Sequence, residues 1–133
     1  MRATANVLRI LVSAIGAIMI VLGLLFWSGN ADSLIPLHML LGVVLVLLLW
    51  AIAVMALVAR VNPVLALVAI VLGLIVPVLG VTQERILPTS AHWIIQVLHL
   101  LVGLIAISLA NILARQIMQG SATRQPEAAL PAR

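Results

Sequence analysis

Few side chains in this sequence can do chemistry, and the three histidines, His38, His92 and His99, stand out among them. Imidazole ligates iron, copper or zinc and changes charge near neutral pH, so it serves as a metal ligand or a proton relay. A glycine follows one helical turn after two of them, in His38-Met39-Leu40-Leu41-Gly42 and in His99-Leu100-Leu101-Val102-Gly103. His92 and His99 are seven residues apart, two turns of helix, and so share a face. Gln96 lies between them, and Gly103, Ala106 and Ala110 continue the stripe. Missing residues narrow the chemistry further. The absence of cysteine excludes disulfides, thiolate-held iron–sulfur clusters and thiol chemistry. With no Gly-rich phosphate loop, Ser-His-Asp arrangement or carboxylate pair, hydrolytic and nucleotide-driven reactions have no support.

The elements that must position these residues are membrane spans. Of 133 residues, 65% are apolar and only 8% charged, with a mean hydropathy of +1.37. A soluble domain carries roughly a quarter charged residues, so that class is excluded. A span needs about 20 mainly apolar residues, and four such runs are present, at 7–27, 34–59, 64–81 and 91–114. The sequence therefore predicts an all-α four-transmembrane-helix bundle over residues 1–115, with a disordered tail at 116–133 that holds Gly120, Pro126 and Pro131. Polar residues 28–33 and 82–90 separate the outer pairs of runs, and Arg60-Val61-Asn62-Pro63 makes a short turn between the second and third. Asp32 or Ser33 is expected to cap the second helix, with Pro36 in its first turn, and Thr89 or Ser90, after Pro88, to cap the fourth. Pro77 sits near the end of the third span, where a kink is tolerated if neighbours cover the freed carbonyl.

The formal net charge of +4 comes from seven arginines and no lysine. In a membrane chain this excess reports orientation rather than nucleic-acid binding. With the N-terminus inside, the inner side collects Arg2, Arg9, Arg60, Arg115, Arg124 and Arg133, and the outer side keeps only Arg85. Both termini are then cytoplasmic, in what the arginine-only usage suggests is a bacterial inner membrane. The first run is read as a span rather than a cleaved signal peptide, being long and lacking an A-x-A site.

On this topology all three histidines fall in the outer half. At about 1.5 Å per residue, His38 lies about 6 to 8 Å in from its helix end, His99 about 12 to 14 Å, and His92 close to the surface. The third span nearly copies the first, Ile70-Val71-Leu72-Gly73-Leu74-Ile75 against Ile20-Val21-Leu22-Gly23-Leu24-Leu25, and the His99 element echoes the His38 element. A duplicated two-helix unit related by an axis along the membrane normal would set His38 and His99 on equivalent, inward faces.

The two His-x-x-x-Gly elements, presented from different spans, resemble the membrane-bound cytochromes b of the four-helix, bis-histidine type. The resemblance is one of architecture and ligand logic and covers residues 7 to 115. It implies a single haem b between spans 2 and 4, with His38 and His99 as axial ligands and the pair His38 and His92 as the alternative. Gly42 and Gly103 would remove bulk where a porphyrin face presses on the helix. Gln96 and His92 would tune the outer edge, the spare imidazole binding a propionate or helping a quinol lose its proton. It further implies electron transfer with quinone or quinol, or with a protein redox partner at the outer face, by an electron carrier or a quinol-linked oxidoreductase, alone or as a homo-oligomer. The chain departs from the common two-haem members because its inner half has no histidine.

Two other classes stay open on the residues alone. One is a non-catalytic tetraspan subunit or assembly factor, with His92 at the interface beside Trp93 and His99 bonded to a neighbouring helix carbonyl. The other is a small transporter or channel, whose inner half would offer only Ser13, Ser108 and Asn111. The small four-helix drug exporters need a membrane glutamate in the first span, and none is present. Among the remaining features, Trp27 and Trp93 are expected in the outer aromatic belt and Trp50 toward the inner one. Gly16, Gly23, Gly73 and Gly80 are expected to permit close packing or, alternatively, to border a flat ligand. Asn111 and Arg115 are expected to meet headgroups. Met19, Met39, Met55 and Met118 do not gather at one depth, so a copper path has little support.

Overall fold

A computed structural model describes residues 1–86 and 90–123, with side chains as far as residue 120. It contains α1 (Arg2–Trp27), α2 (Ile35–Val58), α3 (Pro63–Thr82) and α4 (His92–Thr123). Short 3-10 turns, Asp32–Leu34 and Gln83–Arg85, precede α2 and follow α3. All four helices are long and apolar enough to cross a membrane, as the sequence predicts.

The helix ends are set by local chemistry. At the end of α1, Asn30 N–H donates to Leu25 O at 3.0 Å and Gly29 N–H to Phe26 O at 2.9 Å. Together with φ +74° at Gly29, this is a Schellman ending on a residue that accepts the left-handed conformation. The same ending closes α2, where Val61 N–H donates to Ala56 O at 2.9 Å and Arg60 N–H to Leu57 O at 3.0 Å. Here the left-handed position is held by Arg60, at φ 54°. Asn62 then caps α3, its Oδ1 accepting from Leu65 N–H at 3.2 Å, with Pro63 in the first turn. α3 runs on through Pro77.

Two expectations about ends are corrected. Asp32 and Ser33 do not cap α2: they lie in the 3-10 turn ahead of it, Leu34 holds the cap position, and no side chain bonds there. Pro36 does stand in the first turn. Nor does structure stop at residue 115, because α4 continues to Thr123 and Ile117 is only 1% exposed within the core. Burial of that side chain extends the helix past the point where polar residues begin. Pro88 and Thr89, and the tail from Arg124 through Pro126 and Pro131 to Arg133, lie outside the described residues.

The helices pack in chain order around a ring, with α1 also against α4. α2 and α4 meet across the short diagonal. Hydrophobic burial does not drive helices together in lipid, so close van der Waals packing must, and alanines supply it. The core joins Ala53 and Ala56 of α2, Ala66 and Ala69 of α3, and Ala106, Ala110 and Ala114 of α4 to Leu49, Ile52, Leu113 and Ile117. Ala5 and Val12 complete it from α1. This core fills the half of the bundle that carries the N-terminus. In the half that carries the histidines, Leu22, Leu45, Val46 and Ile95 are buried, the middle two near the bundle's mid-level.

Trp50 packs inward against α3. Its indole Nε1 donates to Ile70 O of α3 at 3.1 Å, and the ring packs on Gly73, where an added Cβ would stand 2.9 Å from Cδ1. Trp27 and Trp93 are exposed, 46% and 54%, at the histidine end, as belt residues should be.

Candidate functional site

His38 enters from the first turns of α2, three residues after Ile35, where Pro36 fixes the start of the helix. His99 lies two turns into α4 on the stripe that continues through Ala106 and Ala110, which are 1% and 0% exposed. Because that stripe faces inward, His99 does too. Across the α2–α4 diagonal the two imidazoles meet, with ring centres 6.5 Å apart and planes inclined at 50°.

The other two helices close on the pair. Phe26, the only phenylalanine in the chain, points an edge at His38 from the end of α1, with ring centres 5.3 Å apart and planes at 73°. On α3, Gly80 lets the His99 ring lie against the backbone, since a Cβ there would stand 3.3 Å from Cε1. Each helix thus contributes one residue. The Nδ1 atoms of His38 and His99 are buried without hydrogen-bond partners. His99 is therefore not tied to a helix carbonyl through Nδ1.

The remaining expected site residues are placed less closely. His92 begins α4, two turns before His99, half-buried and with Nδ1 unpartnered. The ring that meets His38 is that of His99. Gln96 is half-buried between the two α4 histidines. Gly42 faces α1, where the methyl of Met19 would lie 3.4 Å from an added Cβ. Gly103 has no atom within 4 Å of such a Cβ, and neither has Gly23 on α1, so open space borders both.

Phe26 is not identified by sequence reasoning, and Gly80, expected to permit close packing or border a flat ligand, is not paired there with His99. The signal for Phe26 is its solitary occurrence at the end of a span adjoining the His38 helix. The pairing of Gly80 with His99 could be read only by knowing that α3 flanks α4 at that level. Asn111 also differs from expectation. Instead of meeting headgroups, its Oδ1 lies 3.1 Å from Ser13 Oγ of α1 and its Nδ2 donates to Ile107 O at 2.9 Å.

The donor set can be tested against a metal. Two imidazoles binding one ion from opposite sides through bonds of about 2 Å have ring centres about 6 Å apart, close to the separation seen. A bare zinc site needs four ligands, yet the described residues hold no group of three or more His, Cys, Asp or Glu side chains able to share an ion. Haem iron needs only two axial donors, because the macrocycle supplies the rest. The two imidazoles meet that donor count, with open space beside Gly103 and Gly23.

No family model, no characterised protein and no solved structure matches the chain.

Proposed function

We propose that this is a small membrane haem b protein, with one haem held by His38 and His99, that carries electrons to or from quinone or a partner at the outer face. The observation that carries the proposal is the approach of the two imidazole rings to 6.5 Å from diagonal helices. When bound, the haem supplies one-electron redox chemistry.

The chain's own residues supply position. The alanine core fixes the spacing of α2 and α4 below the site, and thereby the distance between the two ring-bearing backbones. Phe26 limits rotation of the His38 ring, and Gly80 gives the His99 ring its place against α3. Gly103 keeps side-chain bulk from the helix surface one turn beyond His99, while Gly42, one turn beyond His38, lets α1 approach through Met19. His92 and Gln96 line α4 between the site and the histidine-end surface, where an imidazole can hold a propionate or accept a quinol proton. The arginine distribution supports an orientation with both termini cytoplasmic in a bacterial plasma membrane, and this puts the site in the outer half.

Purification without added haem tests the proposal through the haem-to-chain ratio. The expected result is a red protein with about one haem per chain and the reduced spectrum of a six-coordinate b-type centre. A colourless protein that takes up no added haem overturns it.

A further inference from the structure

Charge is segregated along the bundle. Among the described residues Arg2, Arg9, Arg60 and Arg115 lie at the N-terminal end with no acidic side chain, while Asp32, Glu84 and Arg85 lie at the other. Arg9 differs from the other three, which are exposed, because it is half-buried. Its Nη2 reaches back toward the helix start to donate to Asn6 Oδ1 at 3.1 Å, as a snorkelling side chain does, but its Nε is buried with no partner. A half-buried guanidinium with a buried, unpartnered Nε has a donor left to offer an anion beside it.

The contacts between α1 and α4 show where that anion would sit. The Ser13–Asn111 contact, 3.1 Å between Oγ and Oδ1, fixes the antiparallel register of the two helices. Gly16 against Ile107 fixes it a second time, since a Cβ there would come within 2.7 Å of Ile107 Cδ1. One turn closer to the N-terminal end, Arg9 on the α1 side and Arg115 on the α4 side therefore flank the same seam. Two guanidiniums at one level repel each other unless an anion lies between them. Their planar forks match the oxygens of phosphate, which each can bind through two hydrogen bonds. The Ser13 hydroxyl and the Asn111 amide form a polar floor one turn deeper. Arg9 is about 10 Å along α1 from its start, at the edge of the apolar run.

We propose that the α1–α4 seam at the N-terminal end binds a phosphate group between Arg9 and Arg115. The chemistry is shared by the phosphodiester of an anionic lipid headgroup and by free phosphate. The site lies at the opposite end of the bundle from the histidines and does not depend on the haem proposal.

The test is native mass spectrometry of the full chain in neutral detergent, comparing retention of phosphatidylglycerol with that of phosphatidylcholine. Arg9→Gln and Arg115→Gln should each lower phosphatidylglycerol retention by about tenfold, while Arg60→Gln, the same charge change at the same end, should alter it by less than about twofold. Loss of the lipid when inorganic phosphate is added assigns the site to the free anion, and retention assigns it to the headgroup. If Arg9→Gln does not give a monodisperse helical protein, Arg9→Lys, which keeps the charge and loses the fork, should still weaken retention. Unchanged retention in the Arg9 and Arg115 variants, or equal loss in Arg60→Gln, overturns the proposal.

Discussion

Gly80 of α3 lies so close to His99 of α4 that an added Cβ would stand 3.3 Å from Cε1 of the imidazole. The ring is thus seated on backbone, and the position it takes toward His38 depends on a residue without a side chain. Gly80→Ala needs a shift of only a few tenths of an ångström. Gly80→Val adds bulk that must push the ring, an overpacking cost of about 1–3 kcal/mol. Haem retained per chain should fall by about tenfold or more in the valine variant, with helix content by circular dichroism unchanged.

Gly103 provides the complementary experiment, because no atom of another helix lies within 4 Å of where its Cβ would be. Gly103→Leu should therefore leave the haem-free bundle as stable as before, or more stable by up to about 1 kcal/mol from helix propensity. The same change should exclude haem by filling the space beside the pair. A leucine variant that keeps its haem would place the macrocycle elsewhere.

Trp50 ties α2 to α3 through the bond from Nε1 to Ile70 O at 3.1 Å. Trp50→Phe keeps most of the packing on Gly73 and loses the donor, at a cost of about 0.5–1.5 kcal/mol. The expected outcome is a lower Tm in detergent, with spectra of any bound haem unaltered because the tie lies in the other half of the bundle.

Arg60 holds the left-handed position of the α2 ending, at φ 54° and exposed. An L-residue pays about 1–2 kcal/mol there relative to glycine, so Arg60→Gly should raise Tm. A fall would show that the guanidinium contributes more than the backbone strain costs.

The four spans were legible because each apolar run reaches the length a bilayer demands. So were the histidines, since ionisable residues are rare in spans and face inward. Neighbour relations were not legible. These helices are apolar nearly all round, and sequence hydropathy alone does not show which face meets which helix. That is why the sequence neither singles out Phe26 nor pairs Gly80 with His99, and does not show that Trp50 packs on Gly73. Asn111 looked like a headgroup contact until Ser13 was known to lie opposite. Where α4 ends was misjudged at Gln116 because Ile117, a single apolar residue in a polar stretch, reaches the core.

The central claim concerns two rings from opposite helices acting on one iron. Its most direct test is the reduced-minus-oxidised spectrum of membranes containing equal amounts of the unaltered chain, His38→Ala, His99→Ala and His92→Ala. The account expects the b-type bands in the first and in His92→Ala, and their loss in both His38→Ala and His99→Ala. Bands that persist in either of the latter two, or vanish only with His92, would contradict it.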